Sequence, residues 1–245
     1  MEKEGFVLRI TPYRDQDALI QTITCDGFCT FLARGVMKMN SKNASLVTLY
    51  THAIWDVEEG KNGYFVLKNG RILETALEAM NHLMTLCVMD AVSELILKLL
   101  DEENAALIYP YVARTFHAFY HQEGDSLTLL AILCAKSLVI AGYGMEIHHC
   151  VFCHQNKHIV SFDFFAGGYV CQTHYQPLTM KNQPASYLKA MRYLFSVPAE
   201  NLLDYSLSMT DAVLILADMK QYLNQQCGIE WKGYEMLIKT LPLSK

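Results

Sequence analysis

Cys150-Val-Phe-Cys153 and, seventeen residues later, Cys171-Gln-Thr-His174 make two ligand pairs, each with two residues between its members. That is the spacing of a tetrahedral zinc site. The interval lets both members of a pair reach one ion, and the second pair closes the sphere from the far end of a small hairpin. Between them, Ile159-Val-Ser-Phe-Asp-Phe-Phe-Ala-Gly-Gly-Tyr-Val170 predicts two short strands turning near Gly167-Gly168. His174 fits the fourth position by spacing, with His148, His149, His154 and His158 close enough to compete. Three thiolates lower the Lewis acidity of zinc, and Asp163 is the obvious carboxylate of the insert. A structural ion is therefore expected. A catalytic one would keep an open position and a nearby base.

Working outward, 245 residues suit two or three modest domains, and 52% apolar residues allow a core without disulfide staples. Of eight cysteines, Cys25, Cys29, Cys87, Cys134 and Cys227 lie outside the metal pattern. That odd remainder, the thiol-metal motif and the lack of a signal peptide point to a reducing compartment and a cytoplasmic protein. The longest apolar run, residues 127–142, is broken by Lys136 and is too short to span a membrane. The net charge of −5 argues against a generic polyanion binder, yet residues 27–55 contain no acidic residue and carry Arg34, Lys38 and Lys42.

Before residue 76 the pattern is that of short strands. They are expected at residues 6–10 (Phe6, Leu8 and Ile10 on one face), 17–24, 28–34, 45–57 and 64–68, the last turning at Asn69-Gly70 into residues 71–73. Five strands in about 75 residues predict a small closed barrel, either OB-like or SH3-like. From residue 76 the period becomes helical. Helices are expected at 76–100, 105–121 and 126–140, the last apolar nearly all round and so buried, then at 185–195, 210–227 and 229–240. The fold class expected is α+β and multidomain: a barrel over residues 1–75, then a helical domain over 76–245 with a zinc-binding insert at about 146–176.

On a barrel, the acid-free loop offers cations to phosphates. Phe28, Phe31 and Tyr50 are candidates for base stacking, although core positions suit them better. There is no P-loop, no dinucleotide fingerprint and no nucleophile elbow. His52 and His117, taken singly, read as surface or core residues. No enzyme is expected.

Several ordered stretches carry a resemblance. They are Gly5-Phe-Val-Leu-Arg9 with Tyr13-Arg-Asp-Gln-Asp17, Thr24-Cys-Asp-Gly27 with Ala33-Arg34-Gly35, Ser93-Glu-Leu95, and Ala141-Gly-Tyr-Gly144 leading to Cys150 and Cys153. Phe162 followed by Gly167-Gly168-Tyr169-Val170-Cys171 completes them. Over residues 5–175 these stretches resemble the RecO family of bacterial recombination mediators. The sequence departs from that pattern twice. The run after Ala-Arg-Gly, usually strongly basic, holds only Lys38 and Lys42, and His174 stands where the family usually has Cys.

The resemblance implies a non-enzymatic DNA repair protein with an OB-like barrel, associated with the nucleoid. It would bind single- and double-stranded DNA, anneal strands coated with single-strand-binding protein, and act with RecR in loading the RecA recombinase. Arg34, Lys38 and Lys42 are the expected phosphate contacts, with Arg9 and Arg14 as further candidates. Cys150, Cys153, Cys171 and His174 are the expected zinc ligands. The competing expectation is a zinc-ribbon scaffold that binds only protein, in keeping with the net acidity and the thinned basic run. A zinc hydrolase would need an open coordination position.

Overall fold

In the computed structural model, which describes residues 1–60 and 64–241, the strand-rich part is a closed barrel. Its strands are β1 (Glu2–Tyr13), β2 (Asp17–Thr24), β3 (Gly27–Ala33), β4 (His52–Glu59) and β5 (Phe65–Glu74). They run around the ring in the order β1-β2-β3-β5-β4. The long β1 pairs with both β2 and β4, and a short parallel contact closes the ring, Phe31 beside Phe65 and Leu32 beside Val66. Of the two barrel types left open by periodicity, this is the OB-like one. Val7, Ile20, Phe31, Ala53, Trp55 and Val57 fill its interior, and the Trp55 indole donates to the Leu46 carbonyl at 2.8 Å.

A bulge between Val7 and Arg9 changes the phase of β1. Side chains alternate across a strand, so one extra residue sends later positions to the opposite face. Phe6 and Leu8 therefore join the core of the helical part, whereas Ile10 packs against the barrel interior. The expected common face for the three does not form.

Two other expected elements differ. Residues 45–57 are not one strand: Ser45–Val47 is a 3-10 turn, Tyr50 has φ 61°, and β4 begins only at His52. Asn69-Gly70 is not a turn. β5 runs straight through it, because Gly70 lies against β4, where a Cβ would stand 2.5 Å from the Ile54 carbonyl oxygen.

The helical part comprises α1 (Leu77–Met80), α2 (Leu83–Leu99), α3 (Glu102–Tyr120), α4 (Ser126–Ile140), α5 (Ala185–Ser196), α6 (Met209–Cys227) and α7 (Lys232–Thr240). The helix expected over 76–100 is thus split near Asn81. Asp101, Asp125 and Ser208 cap α3, α4 and α6 by accepting from the backbone N–H three residues on. Twelve consecutive residues of α4, Leu127 to Leu138, are buried, so it is the central rod. Between α4 and α5 the chain leaves for a hairpin of β6 (Ile159–Asp163) and β7 (Gly168–Cys171). Tyr50 ties the two parts together: its carbonyl accepts from the Tyr120 hydroxyl, and its own hydroxyl donates to Asp90 at 3.5 Å. Among the described residues no helix is long and apolar enough to cross a membrane.

α4 buries one charge. Lys136 is 7% exposed, donates to the Phe195 carbonyl at 2.9 Å and lies over the Tyr111 ring. Desolvation lowers its pKa from an ordinary 10.5 to about 8. Between those values the unfolded chain holds the proton and the folded chain does not, so this group adds stability as pH rises through the window. The expected gain is about 1–2 kcal/mol, less than the full shift implies at ~1.4 kcal/mol per unit. Urea midpoints at pH 7.5 and 10 should show that difference between the wild type and Lys136→Met, in which it vanishes.

Candidate metal centre and nucleic-acid interface

The hairpin brings Cys150, Cys153, Cys171 and His174 together, with one ligand atom of each within 4.8 Å of all the others. Cys153 Sγ lies 3.8 Å from Cys171 Sγ, and His174 Nδ1 lies 3.9 Å from Cys150 Sγ and 3.3 Å from Cys171 Sγ. Bond lengths of about 2.3 Å to sulfur and 2.0–2.1 Å to nitrogen put tetrahedral neighbours roughly 3.5–3.8 Å apart, so the donor set fits zinc. His148, His149, His154 and His158 stay outside this cluster. The backbone N–H groups of His148 and His149 donate to Glu146 instead, while His154 and His158 occupy turns at positive φ.

Backbone geometry prepares two of the three thiols, whereas at Cys153 desolvation and the neighbouring Cys171 and Cys150 outweigh the Gln155 N–H and raise the pKa. Desolvation raises the pKa of Cys150, but N–H groups of Cys171, Phe152 and Cys153 outweigh it and hold the thiol below its ordinary value. Cys171 is also lowered, against desolvation, by the His174 N–H, then the Cys150 side chain and the Thr173 N–H. The Phe152 ring stacks on His174 at 5.5 Å. At the hairpin turn Gly168 has φ 141°, and a Cβ there would stand 2.2 Å from the Glu146 oxygen. This close approach lets Glu146 and Gly168 form a bridge that folds the first Cys pair over the second. Asp163 is a turn residue, accepting from the Ala166 N–H at 2.7 Å. The hairpin is fixed to the helices by Phe162, Phe164 and Tyr169 in the core and by Arg192 Nε donating to the Ile147 carbonyl.

On the barrel, the Asp17 carboxylate accepts from the Gly35 N–H at 2.7 Å and the Gln16 carbonyl from the Met37 N–H. These bonds fix the start of the acid-free loop and turn Arg34 outward, beside the Lys38 stem that lies along Gly35. Arg14 and Arg34 line a groove of about 740 Å³ together with Tyr13, Tyr64 and Lys68. Lys68 also borders a second depression of about 540 Å³, which holds Lys42 and Arg71. Arg14, Arg34, Lys42, Lys68 and Arg71 therefore border two depressions joined at Lys68, and Lys38 follows Arg34 on the loop. Lys68 pairs with Glu58, whereas Arg14, Arg34, Lys38, Lys42 and Arg71 meet no carboxylate among the described residues. Asp17, Glu58 and Glu59 share the first groove, so its charge is mixed.

Arg9 lies elsewhere. Its charge acts on Asp90 of α2, whose pKa is raised by desolvation and by Glu94 and eased by Tyr50 and Arg9. Phe31 and Tyr50 are 0% and 2% exposed, and Phe28 packs on the helical core, so none offers a face to a base. The exposed rings near the cations are Tyr13 and Tyr64, at 39% and 65%. Lys68 and Arg71 escaped notice in the sequence because Asn69-Gly70 reads as a turn. Tyr13 beside Arg14, whose guanidinium sits 5.2 Å from the ring centre, was the available signal.

A family model described as Recombination protein O N terminal matches residues 1–76, and one described as Recombination protein O C terminal matches residues 80–233. The chain belongs to the RecO family. Among its relatives are proteins named DNA repair protein RecO. That of Bacillus cereus strain B4264 is 26% identical over 239 residues, covering 96% of this chain and 95% of the relative. Those of Bacillus anthracis strain CDC 684 and Bacillus thuringiensis subsp. konkukian are 25% identical over 238 residues, with the same coverage. Membership of the family supports a role in DNA repair and recombination.

Proposed function

We propose that this chain is a recombination mediator. It binds single- and double-stranded DNA on the barrel, residues 1–75. It anneals complementary strands coated with single-strand-binding protein and acts with RecR to assist RecA loading, in the cytoplasm at the nucleoid. The helical domain, residues 76–245, supplies protein contacts, and the insert at about 146–176 is held by a structural zinc on Cys150, Cys153, Cys171 and His174.

The observation that carries this reading is the pair of depressions joined at Lys68 and bordered by Arg14, Arg34, Lys42 and Arg71, with two exposed tyrosines on the first. Cations along a groove lower strand–strand repulsion, and aromatic faces hold unpaired bases without regard to sequence. Annealing needs only that: two strands held close, weakly enough to find register. No bond is made or broken, so no catalyst is required. Glu58 and Glu59 in the groove keep the contacts weak.

The test is annealing of complementary oligonucleotides precoated with the cognate single-strand-binding protein, without nucleotide. Acceleration supports the reading. No acceleration by folded, metal-loaded protein favours the protein-only scaffold. In a binding titration, Arg34→Ala is expected to lower the slope of log K against log salt by about 1 and to weaken all sequences alike. Arg9→Ala should leave the slope unchanged.

A further inference from the structure

A second convergence of metal-binding side chains lies where the barrel meets the helices. Glu4 on β1, His52 at the start of β4, Glu74 at the end of β5, His117 on α3 and His121 just after α3 meet at this junction. His52 and Glu74 are cross-strand partners. His52 Nδ1 is 3.6 Å and His117 Nδ1 2.5 Å from Glu74 Oε2, and His121 Nε2 is 3.4 Å from Glu74 Oε1. One ligand atom from each of His52, Glu74 and His117 lies within 4.8 Å of the other two.

The hydrogen-bonding state of these atoms singles the cluster out. His52 is 7% exposed, yet its Nδ1, which faces Glu74, makes no hydrogen bond, and Glu74 Oε2 is also buried without one. Buried polar atoms are normally paired, and orphans call for an explanation. Here His52 Nδ1 and Glu74 Oε2 stand close to each other without meeting the geometry of a hydrogen bond, which leaves both free for a third partner.

We propose that His52, His117 and Glu74 bind a divalent transition-metal ion of the zinc class, distinct from the Cys knuckle, which clamps the barrel to α3. Two imidazoles and a carboxylate are an established donor set for such ions. Glu4 Oε1, 3.2 Å from His52 Nε2, is placed to accept the N–H on the far side of the ring, as outer carboxylates do behind metal-bound histidines. Phe6 stacks on the His52 ring at 4.4 Å and meets His117 edge-on at 5.5 Å, fixing both orientations. The side chains of His117 and Glu74 are each about one-third exposed, which opens a path for the ion. His121 stands within reach as a further donor.

Cobalt(II) added to full-length protein whose knuckle is already zinc-loaded tests the site. Bound to nitrogen and oxygen it gives weak visible bands; bound to thiolates it gives intense near-ultraviolet charge transfer. The expected result is one equivalent taken up with the nitrogen/oxygen spectrum, lost in both His117→Gln and Glu74→Gln, and bound about 10-fold more weakly in Glu4→Gln. His117 and Glu74 are partly exposed, so these variants should fold, which their melting curves will verify. If the wild type takes up no cobalt with that spectrum, or if neither His117→Gln nor Glu74→Gln reduces the uptake, the proposal fails.

Discussion

Cys150→Ser should release the metal from the knuckle and unfold the segment between α4 and α5. Cys150 is fully buried, and its backbone N–H and carbonyl both sit in the turn that carries the pair, bonding Gln155 and His154. Structural zinc contributes about 10–16 kcal/mol in small finger peptides, so loss of one ligand in four is worth roughly 3–4 kcal/mol, or two to three orders of magnitude in affinity. Metal analysis after gel filtration should find less than one-tenth of the wild-type zinc, and limited proteolysis should cut between residues 146 and 176. His174→Ala should behave similarly, whereas His174→Cys, which supplies a fourth thiolate, should keep the ion. Full retention in both Cys150→Ser and His174→Ala would refute the ligand assignment.

The second large effect is expected at Trp231→Ala. Trp231 is 0% exposed; its indole donates to the Ala91 carbonyl at 2.8 Å and its ring stacks on Tyr234 at 5.4 Å. It seats α7 against α2 next to Gly233, where any Cβ would come within 2.6 Å of Ala91 Cα. Glu94 reinforces the joint by accepting from the Lys232 and Gly233 N–H groups and from Lys98. Truncation leaves a cavity and an unfilled groove along α2, at about 3–5 kcal/mol. In a chain of this size that lowers Tm by roughly 10 °C in a thermal melt. Trp231→Phe should recover more than half of the loss. A melt unchanged by Trp231→Ala would mean that α7 is not part of the cooperative core.

The sequence was most legible where local chemistry is self-sufficient. The helix at Ser126–Ile140 is apolar all round and capped by Asp125, and the hairpin turns where Gly167-Gly168 supplies positive φ. It was least legible where distant backbone sets the outcome. Asn69-Gly70 carries strong turn residues, but Gly70 lies close against β4, and β5 stays paired with β4 on both sides of it. The bulge at Val7/Arg9 leaves no mark in the composition, yet it sends Ile10 to the other face. For the candidate sites the same division holds. The Cys/His pairs announce themselves by spacing. His52, Glu74 and His117 are separated by 22 and 43 residues and meet only because β4, β5 and α3 do. Lys68 and Arg71 join the other cations because β5 is continuous, which residue types alone do not reveal.

The ring of the barrel is uneven in strength. β1 and β2 share a long antiparallel ladder, as do β4 and β5, but β3 and β5 hold each other through two rungs. A cylinder stitched so lightly at one seam can breathe there while every other pairing survives, and its amides should exchange with solvent first. Arg34 follows directly on β3, Tyr64 directly precedes β5, and Lys68 lies on β5 beyond the same seam. Parting it turns a closed ring into a curved sheet with two fresh edges, and widens the very groove that the cations border. Among the described residues β3 and β5 have fewer partners in common than any other neighbouring pair in the ring, so this is where the barrel is expected to part first.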